Sequence, residues 1–499
     1  MLARLTAAAV FGVDAIAVSV EVDVSPGLPG VTMVGLPDAT VRESRDRVRS
    51  AIRNSGFPFP TDRVTVSLAP TDVRKVGAAF DLPIALGILA ASGVLPHREG
   101  PPFTIVGGLS LDGHIPPMSG LLPIAIAARR SSLRSLMFPS GNLPEASIVD
   151  GLRLFPVASL ADAARVLSAP APAPTLASGA AALPPPMNVD DLADVRGQAL
   201  ARRALEVAAA GNHHVLFSGP PGAGKTMLAR RLPGLLPPLA FDDALTVTMI
   251  HSIAGLLSPG AGLLAERPFR APHHTCSDVA LVGGGSVPRP GEISLAHGGV
   301  LFLDELPEFS RRVLETLRQP VEHGTIQIAR AHRTVTFPAR VMLAAAMNPC
   351  PCGFRGDERR ACRCTPAMVE RYRARLSGPL RDRFDLFVEV QAVPWAELRG
   401  PELSESSAAV RTRVIAARGR QVARQQVPNA ELEGRRLREH CQVDRRGERM
   451  LEQATHRQML SVRGVTRVLR VARTIADLAG VSAIRDRDVG EALQFRHSL

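Results

Sequence analysis

Gly219-Pro-Pro-Gly-Ala-Gly-Lys-Thr226 decides the reading of this chain. Gly219, Pro220, Pro221, Gly222, Ala223, Gly224, Lys225 and Thr226 fit the spacing G-x-x-x-x-G-K-[ST] in full. The apolar run His214-Val-Leu-Phe217 precedes the motif, and a helical pattern opens near Met227. Strand, glycine turn and helix in that order make a phosphate cradle. The glycines let backbone N–H groups turn inward, and the helix N-terminus adds its dipole. Lys225 places a point charge on the β- and γ-oxygens of a nucleotide such as ATP, and Thr226 offers a hydroxyl to Mg²⁺. The chain holds only two lysines, Lys75 and Lys225, against 57 arginines, so a lysine kept at this position is informative.

Working outward, Gly299-Val-Leu-Phe-Leu-Asp304-Glu305 is an apolar strand ending in two carboxylates. A carboxylate at the C-terminal tip of a buried strand is placed to hold Mg²⁺, and the next one to polarise an attacking water. Asp304 is therefore the metal residue and Glu305 the general base. The adjacent glutamate favours hydrolysis over phosphorylation of a bound substrate. A second apolar run, Val341 to Ala346, ends at Met347-Asn348-Pro349. Asn348 either orients the same water or serves as a turn residue before proline.

The 499 residues are 45% hydrophobic and 21% charged, a globular composition with room for two to four domains. No run of 18 apolar residues lacks charge or turn residues, so no spanning helix and no membrane partner are expected. Residues 1–14 mimic a signal peptide, but Asp14 interrupts the apolar stretch. Ile16, Val18, Val20, Val22 and Val24 then alternate with small or polar residues, which is strand periodicity. Six cysteines do not make a disulfide scaffold, so a reducing cytoplasmic location is expected.

The net charge of +12 is uneven. Residues 351–499 carry 29 basic and 19 acidic groups, a net of +10, which leaves +2 for residues 1–350. A basic C-terminal third points to a polyanion, with nucleic acid first, or to a solvated arginine-rich surface. One Trp, one Tyr and 17 Phe argue for backbone contacts rather than base stacking.

The order of patterns divides the chain. Residues 1–168 alternate strands (15–24, 64–68, 104–106) with helices (40–53, 82–92, 122–130). Residues 169–187 form a Pro/Ala linker, read as a semi-extended spacer. Residues 188–395 are an α/β core with buried parallel strands. Residues 396–499 are mostly helical. Within the core, Thr325-Ile-Gln-Ile328 and Thr334-Val-Thr-Phe337 read as a β-hairpin, with Arg330 and Arg333 at its basic tip. The tip either touches DNA phosphate or is a plain exposed turn.

Cys350-Pro-Cys352 and Cys362-Arg-Cys364 are two C-x-C pairs nine residues apart. Four thiolates so spaced suit a closed structural Zn²⁺ site; free thiols or a redox pair are the alternatives.

Together these elements resemble the AAA+ ATPases, and more narrowly the Mg-chelatase-like branch, the ComM/YifB family. The resemblance spans nearly the whole chain. It is carried by Asp194-Val-Arg-Gly-Gln198, Arg270-Ala-Pro-His-His-Thr275 with Gly283-Gly-Gly285, Gly299 to Glu308, Asn348-Pro-Cys-Pro-Cys-Gly353 and Ser377 to Asp385. It implies a P-loop AAA+ core with a helical C-terminal lid, assembled as a homo-oligomeric, hexameric ring with ATP bound between subunits. It also implies sensor 1 at Asn348, an arginine finger at Arg383 (Arg381 lies two residues away) and sensor 2 at Arg463. For Arg463 and Arg467 the alternative is a basic solvated stripe. The Gly/Pro-rich residues 251–290 resemble the insertion that lines the central pore in this branch, and His273 and His274 are read as structural.

The N-terminal domain resembles the Lon-protease-like domain of ribosomal S5-type fold, through Ile105 to Gly113 and Ser119-Gly-Leu-Leu122. A Lon-type protease needs a serine activated by lysine. Here Val76-Gly-Ala-Ala-Phe80 supplies no hydroxyl, Leu122 stands where the lysine falls, and Lys75 is out of place. A scaffold without proteolysis is expected. The resemblance implies ATP-driven movement on DNA, such as the branch migration tied to natural transformation. A chelatase-type ATPase remodelling a partner protein is the alternative.

Overall fold

The computed structural model describes residues 1–35, 39–70, 75, 77–96, 103–131, 133–169, 173–176, 190–258, 260–285, 288–329, 334–357, 360–395, 397, 404–458 and 460–496. The basic hairpin tip with Arg330 and Arg333 lies outside them, as does most of the 169–187 linker.

The first sheet has eight strands: β1 (Leu2–Phe11), β2 (Asp14–Ser25), β3 (Gly30–Val34), β4 (Arg63–Ala69), β5 (Thr104–Ile105), β6 (Ser135–Pro139), β7 (Arg153–Val157) and β8 (Thr175–Leu176). Their order is β3-β4-β2-β1-β5-β6-β7-β8. The segment that mimics a signal peptide is β1, paired with β2 along its whole length from Leu2↔Asp23 to Phe11↔Asp14. Alternation then buries Val18, Val20 and Val22 against the helix Asp81–Ala91. The expected helices appear at Ala39–Asn54, Asp81–Ala91 and Leu121–Arg130. The spacer reading of 169–187 needs one correction: Thr175 and Leu176 add an antiparallel edge to β7.

The second sheet is built from β9 (Val215–Ser218), β10 (Phe269–Arg270), β13 (Val300–Leu303), β16 (Met342–Met347) and β17 (Leu386–Glu389). All are parallel, in the order β10-β13-β16-β9-β17. Two small hairpins accompany it, β11 (Gly283–Gly284) with β12 (Arg289–Pro290), and β14 (Thr325–Ala329) with β15 (Thr334–Pro338). β13 and β16 are apolar at every position because both faces are covered. Val215, Phe217, Val300, Phe302 and Ala344 pack toward the helix Ala199–Gly211 and the C-terminal helices. Leu216, Leu301, Leu303 and Leu343 pack toward Val313, Leu314 and the β14–β15 hairpin. The sheet and its helical cover match a P-loop AAA+ core followed by a helical C-terminal part.

That C-terminal part comprises the helices Ser407–Gln425, Gly434–His440, Arg445–Gln458, Val462–Leu478 and Asp486–Gln494. Val468, Val471, Ala472, Ile475 and Ala476 of the fourth are buried, as its apolar spacing requires. The solvated-stripe reading is corrected for Arg467, while Arg463 is exposed. Arg467 is buried beside Asp382 and Asp385, and Arg470 donates to the Leu432 carbonyl at 2.7 Å.

The two halves share a core. Leu121, Leu122 and Leu136 of the first pack with Leu239, Ala244 and Val247 of the second. The Ser252 hydroxyl donates to buried Glu145 at 2.5 Å and accepts from the Gly120 amide at 3.0 Å. At the β1–β2 turn, Phe11 and Val13 pack against the cluster holding Val335, and Gly12 at φ 65° leaves no room for a side chain: a Cβ there meets Val335 Cγ1 at 2.6 Å.

Candidate functional site

The phosphate loop leaves the C-terminal end of β9 near the middle of the parallel sheet. Asp304 follows β13 and Asn348 follows β16, so the three lie along one sheet edge where such folds bind ligands. Gly222 and Gly224 take φ of 79° and 90°, the left-handed values that turn the loop back on itself and that glycine adopts without strain. Lys225 opens the helix Lys225–Arg230 and is buried. Its ammonium donates to the carbonyls of Gly219 at 2.6 Å and Pro220 at 3.0 Å, and to Asn348 Oδ1 at 3.1 Å. Burial lowers its pKa, against the pull of the Asp304 and Glu305 carboxylates.

The Thr226 hydroxyl donates to Asp304 Oδ2 at 2.7 Å, while Asp304 Oδ1 accepts the Glu305 amide at 2.9 Å. A hydroxyl and a carboxylate in mutual contact at the mouth of a phosphate loop are the donor set that Mg²⁺ takes, with its remaining sites filled by water and phosphate. Glu305 turns out of the strand at φ 51° and stays half exposed. His274 Nδ1 lies 3.4 Å from its carboxylate, with the His273 and His274 ring centroids 4.1 Å apart and the rings tilted by 32°. The structural reading of His273 and His274 leaves this contact out, and no local spacing in the sequence announces it.

Asn348 is also braced from below. Its backbone hydrogen-bonds the hydroxyl of Tyr372, which burial pushes up to about 12. Gln198, in the motif preceding the core, donates to the carbonyls of Gln391 and Ala223 and so ties the segment after β17 to the phosphate loop.

Arg383 and Arg463 come together, apart from this group. Arg383 ion-pairs with Glu322 on the helix Arg318–His323. That pairing first, and then the His323 and Arg463 charges, hold the Glu322 carboxyl below its usual range. Arg381 is exposed, as is Arg463. Among the described residues no ion pair joins Arg383 or Arg463 to Asp304 or Glu305.

The four cysteines converge. Cys350 and Cys352 sulfurs are 3.4 Å apart, and each is 3.7 Å from Cys362; all four ligand atoms, Cys364 included, lie within 4.8 Å of one another. Tetrahedral Zn–S bonds of about 2.3 Å set sulfurs about 3.8 Å apart, whereas a disulfide needs about 2.05 Å. The donor set and its spacing fit zinc. Backbone N–H groups of Phe354 and then Arg363 at the Cys352 sulfur pull its pKa down to about 6, whereas desolvation and the neighbouring cysteines raise Cys362 and Cys364.

In the first half, Leu122 occupies the core and its amide donates to Glu145, while buried Lys75 donates to the Gly35 carbonyl at 3.1 Å and to that of Pro70. No helix is long and apolar enough to cross a membrane among the described residues.

Family comparisons agree with this geometry along the chain. Residues 191–398 match the family described as magnesium chelatase, subunit ChlI; residues 20–142 match subunit ChlI of Mg-chelatase; and residues 404–496 match its C-terminal family. Among individual relatives, the YifB protein of Salmonella typhimurium is 44% identical over 98% of this chain and 96% of its own length. Competence protein ComM of Haemophilus influenzae is 44% identical over 99% of this chain and 97% of its own. The magnesium-chelatase 67 kDa subunit of Heliobacterium mobile is 27% identical over 34% of this chain and 30% of its own. Identity at that level over almost the full length, on a site built as described, is decisive: the chain belongs to the ComM/YifB family of Mg-chelatase-like AAA+ ATPases.

Proposed function

We propose that this ATPase is a homo-oligomeric ring, hexameric by analogy with its family, that couples ATP hydrolysis to movement on DNA without sequence preference. The observation that carries the ring is the division of the ATP machinery. Lys225, Thr226, Asp304, Glu305 and Asn348 form one group, while Arg383 and Arg463 gather around Glu322. Charge that develops on a transferring γ-phosphate calls for an arginine. In this reading a neighbouring subunit supplies Arg383, with Arg463 beside it.

Within one site, Lys225 binds the β/γ oxygens, and Asn348 and Glu305 orient a water on the γ-phosphorus. Glu305 takes the proton as the water oxygen bonds to phosphorus and the bond to ADP breaks. Mg²⁺, held by Thr226 and Asp304, supplies charge neutralisation on the phosphate oxygens. Zinc at Cys350, Cys352, Cys362 and Cys364 belongs to the same reading as a structural ion.

Support for DNA comes from the +10 net charge of residues 351–499 and from the competence name of a 44% identical relative. The N-terminal domain is assigned a Lon-protease-like, S5-type fold that acts as a scaffold, with Ala78, Ala79 and Leu122 in place of protease chemistry. Six cysteines, too few for a disulfide scaffold, favour a cytoplasmic location. The test is the ATPase rate of the assembled protein against branched, duplex and single-stranded DNA at two salt concentrations. Stimulation that weakens steeply with salt is expected, each neutralised phosphate adding about −0.9 to the log–log slope on duplex. No binding and no stimulation at low salt would replace this reading with chelatase-type remodelling of a protein partner.

A further inference from the structure

Arg383 sits in an acidic stretch and pairs with none of it. Asp382 and Asp385 flank it in sequence, and both face Arg467 instead, at 3.6 Å and 3.5 Å. Asp385 is buried and meets His213 as well. Among the described residues, the one carboxylate that ion-pairs with Arg383 is Glu322, 61 positions earlier in the chain.

The guanidinium is partly sunk. The Arg383 side chain is 24% exposed, whereas Arg381, two residues away, is exposed. Its Nε is buried without a hydrogen-bond partner, so the bond from Nη2 to the Glu322 carboxylate is what aims it. Glu322 is itself held in place. It is the next-to-last residue of the helix Arg318–His323, which Gly324 ends at φ 66°. The Gly324 amide donates to the Pro320 carbonyl at 2.8 Å, and its carbonyl accepts the Ala339 amide at 2.8 Å. The helix end is thereby tied to the residue that follows β15. Glu322 is half exposed, and a pair with so open a partner adds little to stability. What it can do is spare the arginine side chain the freedom it would otherwise lose on meeting a phosphate.

We propose that Glu322 is a positioning residue for the arginine finger: its carboxylate holds the Arg383 guanidinium in the direction from which it meets the γ-phosphate in the neighbouring subunit. The inference rests on the cross-subunit reading above and deepens it. It assigns Glu322 to the subunit that donates the finger and not to the site that binds the nucleotide. Glu322 touches no phosphate in this role and acts through Arg383 alone.

The test is the steady-state ATPase rate and ATP titration of the assembled full-length protein carrying Glu322→Gln, Glu322→Asp or Arg383→Ala. Glu322→Gln keeps the size and removes the charge. It should lower kcat about tenfold or more, since a displacement on the order of 1 Å of a positioned group costs about a hundredfold, and leave ATP affinity unchanged. Glu322→Asp, which keeps the charge on a shorter arm, should fall between. Added to Arg383→Ala, Glu322→Gln should cost nothing further. Co-assembly of Glu322→Gln with Lys225→Ala subunits should recover activity, because some sites then pair an intact phosphate loop with an intact finger. Co-assembly with Arg383→Ala should recover none, because both defects lie in the donating subunit. A merely structural role would not follow this pattern. A parental kcat in Glu322→Gln would overturn the proposal. So would a raised one, which would mark Glu322 as a competitor of the phosphate for the finger. Recovery with Arg383→Ala but not with Lys225→Ala would place Glu322 in its own subunit's site and overturn it too. Failure of the cross-subunit reading shows separately, as Arg383→Ala subunits that co-assemble with Lys225→Ala and recover nothing.

Discussion

Thr226 Oγ1 donates to Asp304 Oδ2 at 2.7 Å, joining the end of the phosphate loop to the tip of β13. Glu305, one residue on, stands clear of this bond and faces His274 at 3.4 Å. The two carboxylates therefore separate by function. Glu305→Gln should retain ATP and lose turnover by about a hundredfold or more, the usual yield of a positioned general base. Lys225→Ala should instead weaken binding itself, because it removes the charge on the phosphates. Phosphate release and nucleotide titration, run on both variants, separate these outcomes. Hydrolysis at the parental rate by Glu305→Gln would remove that residue from its role.

Arg383→Ala is expected to abolish hydrolysis while each subunit still binds ATP. Mixing it with Lys225→Ala protein should recover part of the activity, because mixed assemblies contain some sites with both groups intact. Demonstrated co-assembly without recovery would argue that Arg383 does not act across subunits.

Arg467 joins the helix Val462–Leu478 to Asp382 at 3.6 Å and Asp385 at 3.5 Å, on either side of Arg383. Removing one partner of a buried charge cluster costs about 3 kcal/mol or more. Arg467→Ala should lower the denaturant midpoint accordingly, and Arg467→Lys less. Because Asp385 also meets His213 at 3.3 Å, the loss should be larger when His213 is already replaced, since Arg467 is then a greater share of what compensates that buried carboxylate. A midpoint unchanged in Arg467→Ala would show the pair to be energetically idle.

Two histidines give the fold an acid limit. Burial drives His214 and His297 down to about 4, and their Nδ1 atoms accept backbone amides from Leu343 at 3.0 Å and Arg340 at 3.1 Å. Below pH 6.5 the unfolded chain takes up protons that the folded chain refuses. Stability should therefore be fully present above pH 6.5, fall as pH drops toward 4, and gain no further slope from these groups below that. The loss is on the order of 1–3 kcal/mol per histidine. Denaturant unfolding between pH 7.5 and 4 measures it; His297→Gln should flatten the profile, and an unchanged slope in that variant would discount its share.

The parallel sheet was legible because phosphate loop, acidic strand and asparagine tip each announce themselves locally: eight motif residues in sequence, an apolar run ending in Asp304-Glu305, another ending in Asn348. The long helices were legible from periodicity. What escaped is what depends on distant partners. Leu2–Phe11 only mimics an apolar leader, which Asp14 and the alternation after it argue against, but its own strand character rests on pairing with β2 across the turn at Gly12. Arg467 looked like surface because Asp382 and Asp385, its partners, lie more than eighty residues away. The meeting of Glu322 with Arg383 and Arg463 follows from no local spacing at all.

The contact of Gly12 with Val335, with the shared core around Leu239 and Val247 and the Ser252–Glu145 hydrogen bond, bears on how this chain can be dissected. Truncation to the motor half would uncover a contiguous apolar face, orphan a serine hydroxyl and strip support from a strand of the β14–β15 hairpin. Such a fragment should be sticky and poorly behaved, so its inactivity would say nothing about what the first domain does. Point changes at the seam, Gly12→Ala or Ser252→Ala in the intact protein, are the cleaner way to ask whether the two halves move as one.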